Sequence, residues 1–320
     1  MAIGVGHNSY LGVAKETTYG VGVAPATFIE YTDESIANTI NPITSGALVG
    51  SRFKNSILMS GIIDIGGNFK FEANPDNVGL IIGAALGSET TTQVGTTTAY
   101  DHVITPADSL PSLSIEIGRD VKVSRYAGCV IDGLTFNADI NSILSIEAAI
   151  KGASENDSVS AATASYSSKL PYIFTMGTIK IDTVTVAYVK NLSLSLANNL
   201  FGDRYVLNGS QERVGLQPQG SQVTGSMELE FTSDGYAQRT KYLNGTAVAL
   251  QIIFTSTEEI ETGYYYTLTI DVPYIKYQKA DANVGGPDVI PFSVDFEAYQ
   301  PSGDIMTVTL RDARTTNWIA

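Results

Sequence analysis

The residues able to perform acid–base, nucleophilic or metal chemistry are few in this chain and poorly arranged for it. Histidine occurs only as His7 and His102, and cysteine only as Cys129. These three residues cannot assemble a Cys/His zinc site, and a single cysteine cannot form an internal disulfide. No serine has glycine both two residues before and two residues after it, and no phosphate-binding loop motif is present. The sequence therefore predicts no enzyme activity and no cofactor or metal site.

Weaker chemical motifs have structural interpretations. The stretch from Gly4 to Ser9 is similar to a dinucleotide-binding turn, but no strand precedes it. The carboxylate pairs Asp33-Glu34 and Glu258-Glu259 are adjacent in sequence, so their side chains point apart on a strand or turn. We interpret them as solvated charges and the two histidines as catalytically inert.

Composition indicates two mostly-β domains. The chain has 320 residues, 43% of them hydrophobic and only 16% charged, which favours short strands and turns over long charged helices. The net charge is −14 and both halves are acidic, which argues against wrapping by duplex DNA. No apolar run of 18 residues and no signal-peptide pattern occurs, so we expect synthesis in the cytoplasm and no membrane span.

Alternating polar and apolar residues predict strands along most of the chain. Only two segments have a helical pattern. One runs from Asp76 to Leu86 and stops at Gly87, and the other runs from Asp234 to Leu243 and stops near Gly245. In both segments the first aspartate is predicted to be the N-cap, and the glycine to end the helix.

An internal repeat changes the interpretation of the whole chain. Four residues of the first half recur in the second at a constant offset of 158: Gly67, Glu72, Asp76 and Gly87 return as Gly225, Glu230, Asp234 and Gly245. Later strands are matched by composition, Ile131-Asp132 with Ile270-Asp271 and Ser145 to Ala148 with Ser293 to Phe296. The pattern predicts two copies of one β domain.

Polar segments suggest the boundaries of these copies. Residues 152–169 are small and polar and cannot bury a core, so they are predicted to be a linker. The predicted units are an N-terminal arm (1–27), β domain 1 (28–151), the linker (152–169), β domain 2 (170–302) and a C-terminal extension (303–320).

Long polar connections and clustered tyrosines are possible contact surfaces. Asn41 to Gly61 and Phe201 to Gly220 are longer than a hairpin needs, so each is either an arm to a neighbouring subunit or a solvated loop. Ser88 to Leu110 is an insertion of the first half alone. The tyrosines at 264–266, 274 and 277 could stack on sugars or bases, but their place among Ile and Val favours packing.

The beginning of the chain resembles a known family. Tyr10 to Gly20, Val23-Ala24-Pro25 and Phe28 to Tyr31 are similar to the opening of phage tail tube proteins, the major tail proteins of long-tailed bacteriophages, of the two-domain type. A looser similarity covers the rest, including Tyr126 to Leu134.

This resemblance implies a fold and an assembly. The fold is two tandem tail-tube-like β-sandwich domains, each with a flanking short α-helix. Single-domain members form hexameric rings, so a two-domain chain implies a trimeric ring with pseudo-sixfold symmetry. Stacked rings form the hollow tube through which genomic DNA passes at ejection without specific binding. The implied location is the virion tail, assembled in the host cytoplasm, and the implied partners are tape measure, tail terminator and tail tip proteins.

Candidate assembly residues follow from the repeat, the loops and the resemblance. The candidates for lining the channel are Asp64, Glu72, Glu228 and Glu230. The candidates for contacts between rings are Ser51, Arg52, Phe53, Lys54, Arg204 and Arg213. A competing hypothesis is a β-sandwich module of the virion that binds a receptor or carbohydrate, and a β-sandwich hydrolase is a third.

Overall fold

The computed structural model describes residues 3–50, 52 and 57–320, and strands dominate it. The described residues contain two α-helices, and the predicted mostly-β class is confirmed. The elements of the first half are β1 (Ser9–Lys15), β2 (Thr27–Ile29), β3 (Tyr31–Glu34), β4 (Ala37–Thr44), β5 (Leu58–Glu72), α1 (Val78–Leu86), β6 (Gly87–Gln93), β7 (Tyr100–Pro106), β8 (Leu113–Arg119), β9 (Lys122–Asp139), β10 (Ser145–Gly152) and β11 (Ser154–Asn156). The elements of the second half are β12 (Gly177–Ile181), β13 (Val184–Val186), β14 (Val189–Ala197), β15 (Gln222–Glu230), α2 (Ser233–Leu243), β16 (Val248–Glu261), β17 (Tyr264–Ala282), β18 (Pro291–Ala298) and β19 (Thr307–Asp312).

One antiparallel sheet, which we call the central sheet, runs through both halves. Its order is β3 and β4 together at one edge, then β5, β10, β9, β14, β15, β18 and β17. In β10 and β14 every second side chain is buried and those between are half-buried. This period of two is that of strands covered on one face.

A second layer covers that face in each half. In the first half its order is β2, β1, β8, the beginning of β9 and β11. In the second half the order is β13, β12, β16, the beginning of β17, β19, β7 and β6. Strands β9 and β17 belong to both layers and are the longest, at 18 and 19 residues. Buried apolar side chains of both layers form one continuous core.

The two halves repeat each other down to their strand irregularities. Three β-bulges of the first half have counterparts in the second, in the equivalent strand pair and at the equivalent place. A bulge inserts one residue and redirects a strand, and it tends to be kept within a family. The matched positions are Tyr31/Asp33 with Val189/Asn191, Leu113/Ile115 with Val248/Leu250, and Ile131/Gly133 with Tyr277/Lys279.

The register corrects two strand matches made from composition. Glu72 lies opposite Ser145 and Glu230 lies opposite Pro291, so β10 corresponds to β18 at an offset of 146. The bulges place β9 and β17 at the same offset. Ile131-Asp132 therefore matches Tyr277-Gln278 and not Ile270-Asp271, and Ser145 matches Pro291 and not Ser293. The composition matches were wrong by seven residues in β17 and by two in β18, because short apolar–acidic pairs recur along alternating strands and carry little register information.

The helices end as predicted but begin differently. Gly87 and Gly245 have φ of 97° and 62°, the left-handed backbone that ends helices. Asp234 is not the N-cap of α2, because Thr232 Oγ1 accepts the bond from the Gly235 N–H at 3.1 Å. Asn77 flanks α1 without a side-chain cap bond, so Asp76 is not its N-cap.

Two connections differ from the expected loops. The segment from Asn41 to Gly61 is partly strand, because β4 continues to Thr44 and β5 begins at Leu58. Strand β4 is exposed at every residue except the half-buried Asn38, so its sequence lacks the alternation that would reveal it. The insertion from Ser88 to Leu110 forms the β6–β7 hairpin, and β7 pairs with β19 in the C-terminal extension.

Helix α1 provides a test of the packing at the C-terminus. All nine of its residues are buried, and a Cβ added to Gly79 would overlap the Trp318 ring. Alanine is favoured over glycine inside a helix by about 1 kcal/mol, whereas overpacking costs about 1–3 kcal/mol. Gly79→Ala is therefore expected to lower the midpoint of thermal unfolding. Gly46→Ala, whose Cβ meets nothing within 4 Å, is the control, and a raised midpoint for Gly79→Ala would contradict this packing.

Candidate functional site

The residues with catalytic potential are engaged in structural contacts. Cys129 is buried, and burial raises the pKa of its thiol. Glu34 forms an ion pair with Arg119, and Glu258 with Lys169. In the part of the chain that the structure describes, no group of three or more His, Cys, Asp and Glu residues could hold a metal ion. His7 is exposed, whereas His102 is fully buried.

His102 lies at the centre of a buried charged network. Its Nδ1 is 2.8 Å from Glu89 Oε1 and its Nε2 is 3.0 Å from Asp312 Oδ1. The backbone N–H of Trp318 donates to Glu89 at 2.9 Å, and the indole N–H donates to Asp312 at 3.1 Å. The network thus joins β6, β7 and β19 to the C-terminal residues. Burial disfavours the charged imidazole, but the bonds to Asp312 and Glu89 outweigh it and raise the pKa of His102 to about 9.

This raised pKa predicts a loss of stability at alkaline pH. The pKa of an unfolded histidine is about 6.5, so the folded state binds the proton more tightly. The contribution is complete below about pH 6.5 and is lost as pH rises through the folded pKa of about 9. We expect the free energy of unfolding to fall by on the order of 3 kcal/mol over this range. Urea unfolding from pH 6 to pH 9.5 measures it, and a His102→Gln chain should show a flatter profile.

The central sheet has one open face, and all four candidates for lining a channel lie on it. Asp64 and Glu72 alternate with buried residues of β5, and Glu228 and Glu230 alternate with buried residues of β15. By the same alternation, more acidic than basic residues occupy this face. The acidic members are Asp33, Asp64, Glu72, Asp139, Glu147, Glu228, Glu230, Asp281, Asp295 and Glu297, and the basic ones are Lys70, Lys151, Lys276 and Lys279.

Short polar contacts hold this open face together. Asn191 donates to Glu228 at 3.0 Å, and Asn68 donates to Glu147 at 2.7 Å. Such bonds keep the carboxylates in place without neutralising their charge. Two carboxylates of the acidic open face, Glu147 and Glu228, are therefore held in place by neighbouring amide groups.

The two halves join through the central sheet by a ladder of seven residue pairs between β9 and β14. The ladder extends from Asn191 opposite Asp139 to Ala197 opposite Gly133. On the open face at the middle of this junction, Thr135 Oγ1 and Ser195 Oγ are 3.0 Å apart. This junction shows how one repeat of the chain attaches to the next.

Both ends of the central sheet lack a further strand. Among the described residues, β4 pairs only with β5, and the last part of β17 pairs only with β18. Unpaired strand edges expose backbone donors and acceptors and invite another chain. Among the described residues, the central sheet therefore has two unpaired edges, one at β3 and β4 and the other at the end of β17.

The candidates for ring contacts differ in their surroundings. Ser51, Phe53 and Lys54 lie outside the described residues, and Arg52 and Arg204 are exposed. Arg213 is only 6% exposed. Its guanidinium pairs with Asp64 and donates to three carbonyl oxygens, those of Gly202 at 2.7 Å, Gly152 at 2.8 Å and Ile65 at 3.2 Å.

The loop that carries Arg213 belongs to the second half but packs on the first. The Ile63 N–H donates to the Gln211 carbonyl at 3.0 Å, and the Tyr205 hydroxyl donates to the Ile63 carbonyl at 2.8 Å. The loop from Phe201 to Gly220 thus covers the part of β5 that extends beyond β10. Within this chain, it is an arm from one repeat to its neighbour.

Exposed apolar side chains concentrate on the β4–β5 hairpin. Among the described residues of this hairpin, the large exposed hydrophobic ones are Ile40, Ile43, Leu48, Val49, Ile57, Leu58, Met59 and Ile62. We call them the apolar patch, and exposed apolar clusters of this kind are typical of contact surfaces. None of the described helices is long and apolar enough to cross a membrane.

Most of the clustered tyrosines are at least partly buried, and Tyr265 is the exposed member among them. Tyr266 and Tyr277 are buried, and Tyr274 packs against Tyr299 with ring centroids 6.0 Å apart. Lys169 lies 4.5 Å from the centre of the Tyr266 ring. These contacts support the packing interpretation of this cluster.

A known protein family matches most of the chain. A family model described as phage tail tube protein matches residues 6–298. No curated protein sequence matches the chain. The matched region contains both repeats, the central sheet and both of its free edges. The chain therefore belongs to the phage tail tube protein family, a family of structural proteins of the virion tail.

Proposed function

We propose that three copies of this chain close into a ring of six repeats, and that such rings stack into the hollow tail tube of a long-tailed phage. The observation that carries the proposal is the central sheet, in which two repeats are already joined by β9 and β14. Repeating that junction between chains would satisfy both free edges. Because each chain supplies two repeats, a ring of six needs three chains.

The open face suggests what the channel does. If the central sheets close around an axis, one face packs on the outer layer and the open face lines the channel. We propose that Glu72, Glu228 and Glu230 line it. A negative lining repels the phosphate backbone of genomic DNA and keeps it from binding during ejection.

The hairpin and the loops suggest how rings stack. The β4–β5 hairpin extends beyond β10 and carries the exposed apolar patch. We propose that this hairpin, with Arg52 and the exposed Arg204, contacts the neighbouring ring. The loop around Arg213 is held within its own chain, so its contribution is to shape this surface. Tape measure, tail terminator and tail tip proteins are the proposed partners at the lumen and the tube ends, with assembly in the host cytoplasm.

Electron microscopy of the purified chain over a range of concentrations tests this proposal. Hollow rings with six lobes, whose mass in native mass spectrometry corresponds to three chains, are the expected result. A Leu48→Ser, Val49→Ser chain changes two exposed residues of the hairpin and is expected to form rings that stack less. Solid particles, or closed rings of a different number of chains, would contradict the proposal.

A further inference from the structure

The internal repeat specifies how one chain meets the next at the level of single residues. We propose that the end of β17 in one chain pairs with β3 and β4 of a second copy, in the register of the β9–β14 junction. Ala37 then lies opposite Asp281 of the neighbouring copy. This inference rests on the proposed ring, because it names the edges and the register with which the ring closes.

The register follows from the offsets between equivalent strands. Strands β3 and β4 correspond to β14 at an offset of 158, and β9 corresponds to β17 at an offset of 146. Thr135 lies opposite Ser195 at the β9–β14 junction. Their equivalents, Asp281 in β17 and Ala37 in β4, are therefore opposite each other in the proposed contact. The complete set of proposed pairs is Asp33 with Gly285, Glu34 with Val284, Ser35 with Asn283, Ile36 with Ala282, Ala37 with Asp281, Asn38 with Ala280 and Thr39 with Lys279.

Differences in burial between equivalent residues support this register. At the β9–β14 junction the open-face residues of β14 are half-buried, whereas their counterparts in β3 and β4 are exposed. The pairs are Asn191 and Asp33, Ser193 and Ser35, Ser195 and Ala37, and Ala197 and Thr39. On the other edge, Thr135 is half-buried and its counterpart Asp281 is exposed. The exposed positions are those that another strand would cover.

A buried polar atom at the same edge also lacks a partner. Asn38 Oδ1 is buried and accepts no hydrogen bond from the described residues. An unsatisfied buried acceptor costs about 1–3 kcal/mol. The proposed register places Asn38 opposite Ala280, directly at the contact with the second copy.

At each free edge of the central sheet, an arginine side chain donates a hydrogen bond to a backbone carbonyl of the same chain. Arg119 donates to the Ile36 carbonyl at 3.0 Å, and Arg239 donates to the Ala280 carbonyl. Glu34 accepts from the Ile36 N–H at 3.0 Å and pairs with Arg119. Charged side chains on edge strands discourage unwanted pairing. Pairing in the proposed register replaces these side-chain bonds with bonds between backbones.

Disulfide cross-linking tests the register. In an Ala37→Cys, Asp281→Cys chain both new cysteines replace exposed residues, and Cys129 is buried and does not compete. Two further double variants represent register shifts of two residues: one combines Ala37→Cys with Lys279→Cys, and the other combines Ala37→Cys with Asn283→Cys. Mild oxidation of assembled protein is expected to link at least ten times more chains in the first variant than in either of these. The matched control is Thr135→Cys, Ser195→Cys, the equivalent pair within one chain, which is expected to close inside the monomer.

The outcomes separate the register from the proposed function. Hollow rings in which a shifted pair links best, or in which no pair links although the control closes, would overturn the register and leave the ring intact. Chains that form no rings and no link between chains, although the control closes, would overturn both. Rings in which Ala37→Cys, Asp281→Cys alone links efficiently would support both.

Discussion

Replacing His102 with glutamine is expected to lower the free energy of unfolding by about 3–5 kcal/mol. The protonated imidazole lies between the buried carboxylates of Glu89 and Asp312, at 2.8 and 3.0 Å. Glutamine is neutral, so it leaves two carboxylates in the core without a cation. The network also holds the backbone N–H of Trp318, so the C-terminal residues should loosen first.

Urea unfolding at pH 7 measures this loss, and limited proteolysis reports the loosening of the C-terminus. His7→Gln makes the same chemical change at an exposed position, and it is expected to leave stability within about 0.5 kcal/mol of the unsubstituted chain. Adding Glu89→Gln to His102→Gln removes one unpaired charge and should recover part of the loss. A loss below about 1 kcal/mol for His102→Gln would show that the network is not a charged one.

The sequence predicts structure best where a residue type favours one particular backbone conformation, as glycine does at the ends of helices. Gly87 and Gly245 were predicted to end helices, and both have left-handed backbone there. The same offset of 158 residues relates β5 to its equivalent strand β15 in the second repeat. Strand matches based on apolar–acidic pairs failed, because such short pairs recur along an alternating strand and fit several registers equally well.

The candidate site could be predicted only in part, because it depends on contacts between distant segments. The alternation in β5 and β15 placed four carboxylates on one face, but nothing local indicates that β9 joins β14. The sequence also cannot show that His102 and Arg213 are buried, since their partners lie up to 212 residues away. Arg213 and Arg204 look alike in a polar loop, and only the structure separates them.

Arg213→Ala is expected to cost about 3 kcal/mol of folding free energy, whereas Arg204→Ala is expected to cost almost none. The Arg213 guanidinium satisfies the carbonyls of Gly202, Gly152 and Ile65 and pairs with Asp64. Its loss leaves the three carbonyls and the half-exposed Asp64 carboxylate without their charged donor. The stability loss for Arg213→Lys is expected to be intermediate, because a lysine ammonium group cannot contact all the acceptors that surround the planar guanidinium group of Arg213.

The same substitution tests whether the arm between repeats shapes the assembly surface. Without Arg213 the loop loses the contact that holds it on β5, and hydrogen exchange is expected to increase at Ile63, whose N–H donates to that loop. Ring formation should then fall for Arg213→Ala even under conditions where the chain stays folded. Arg204→Ala keeps the loop in place, so it is expected to form rings and weaken only their stacking. If the two substitutions had equal effects on unfolding, the buried position of Arg213 would not be the source of its contribution.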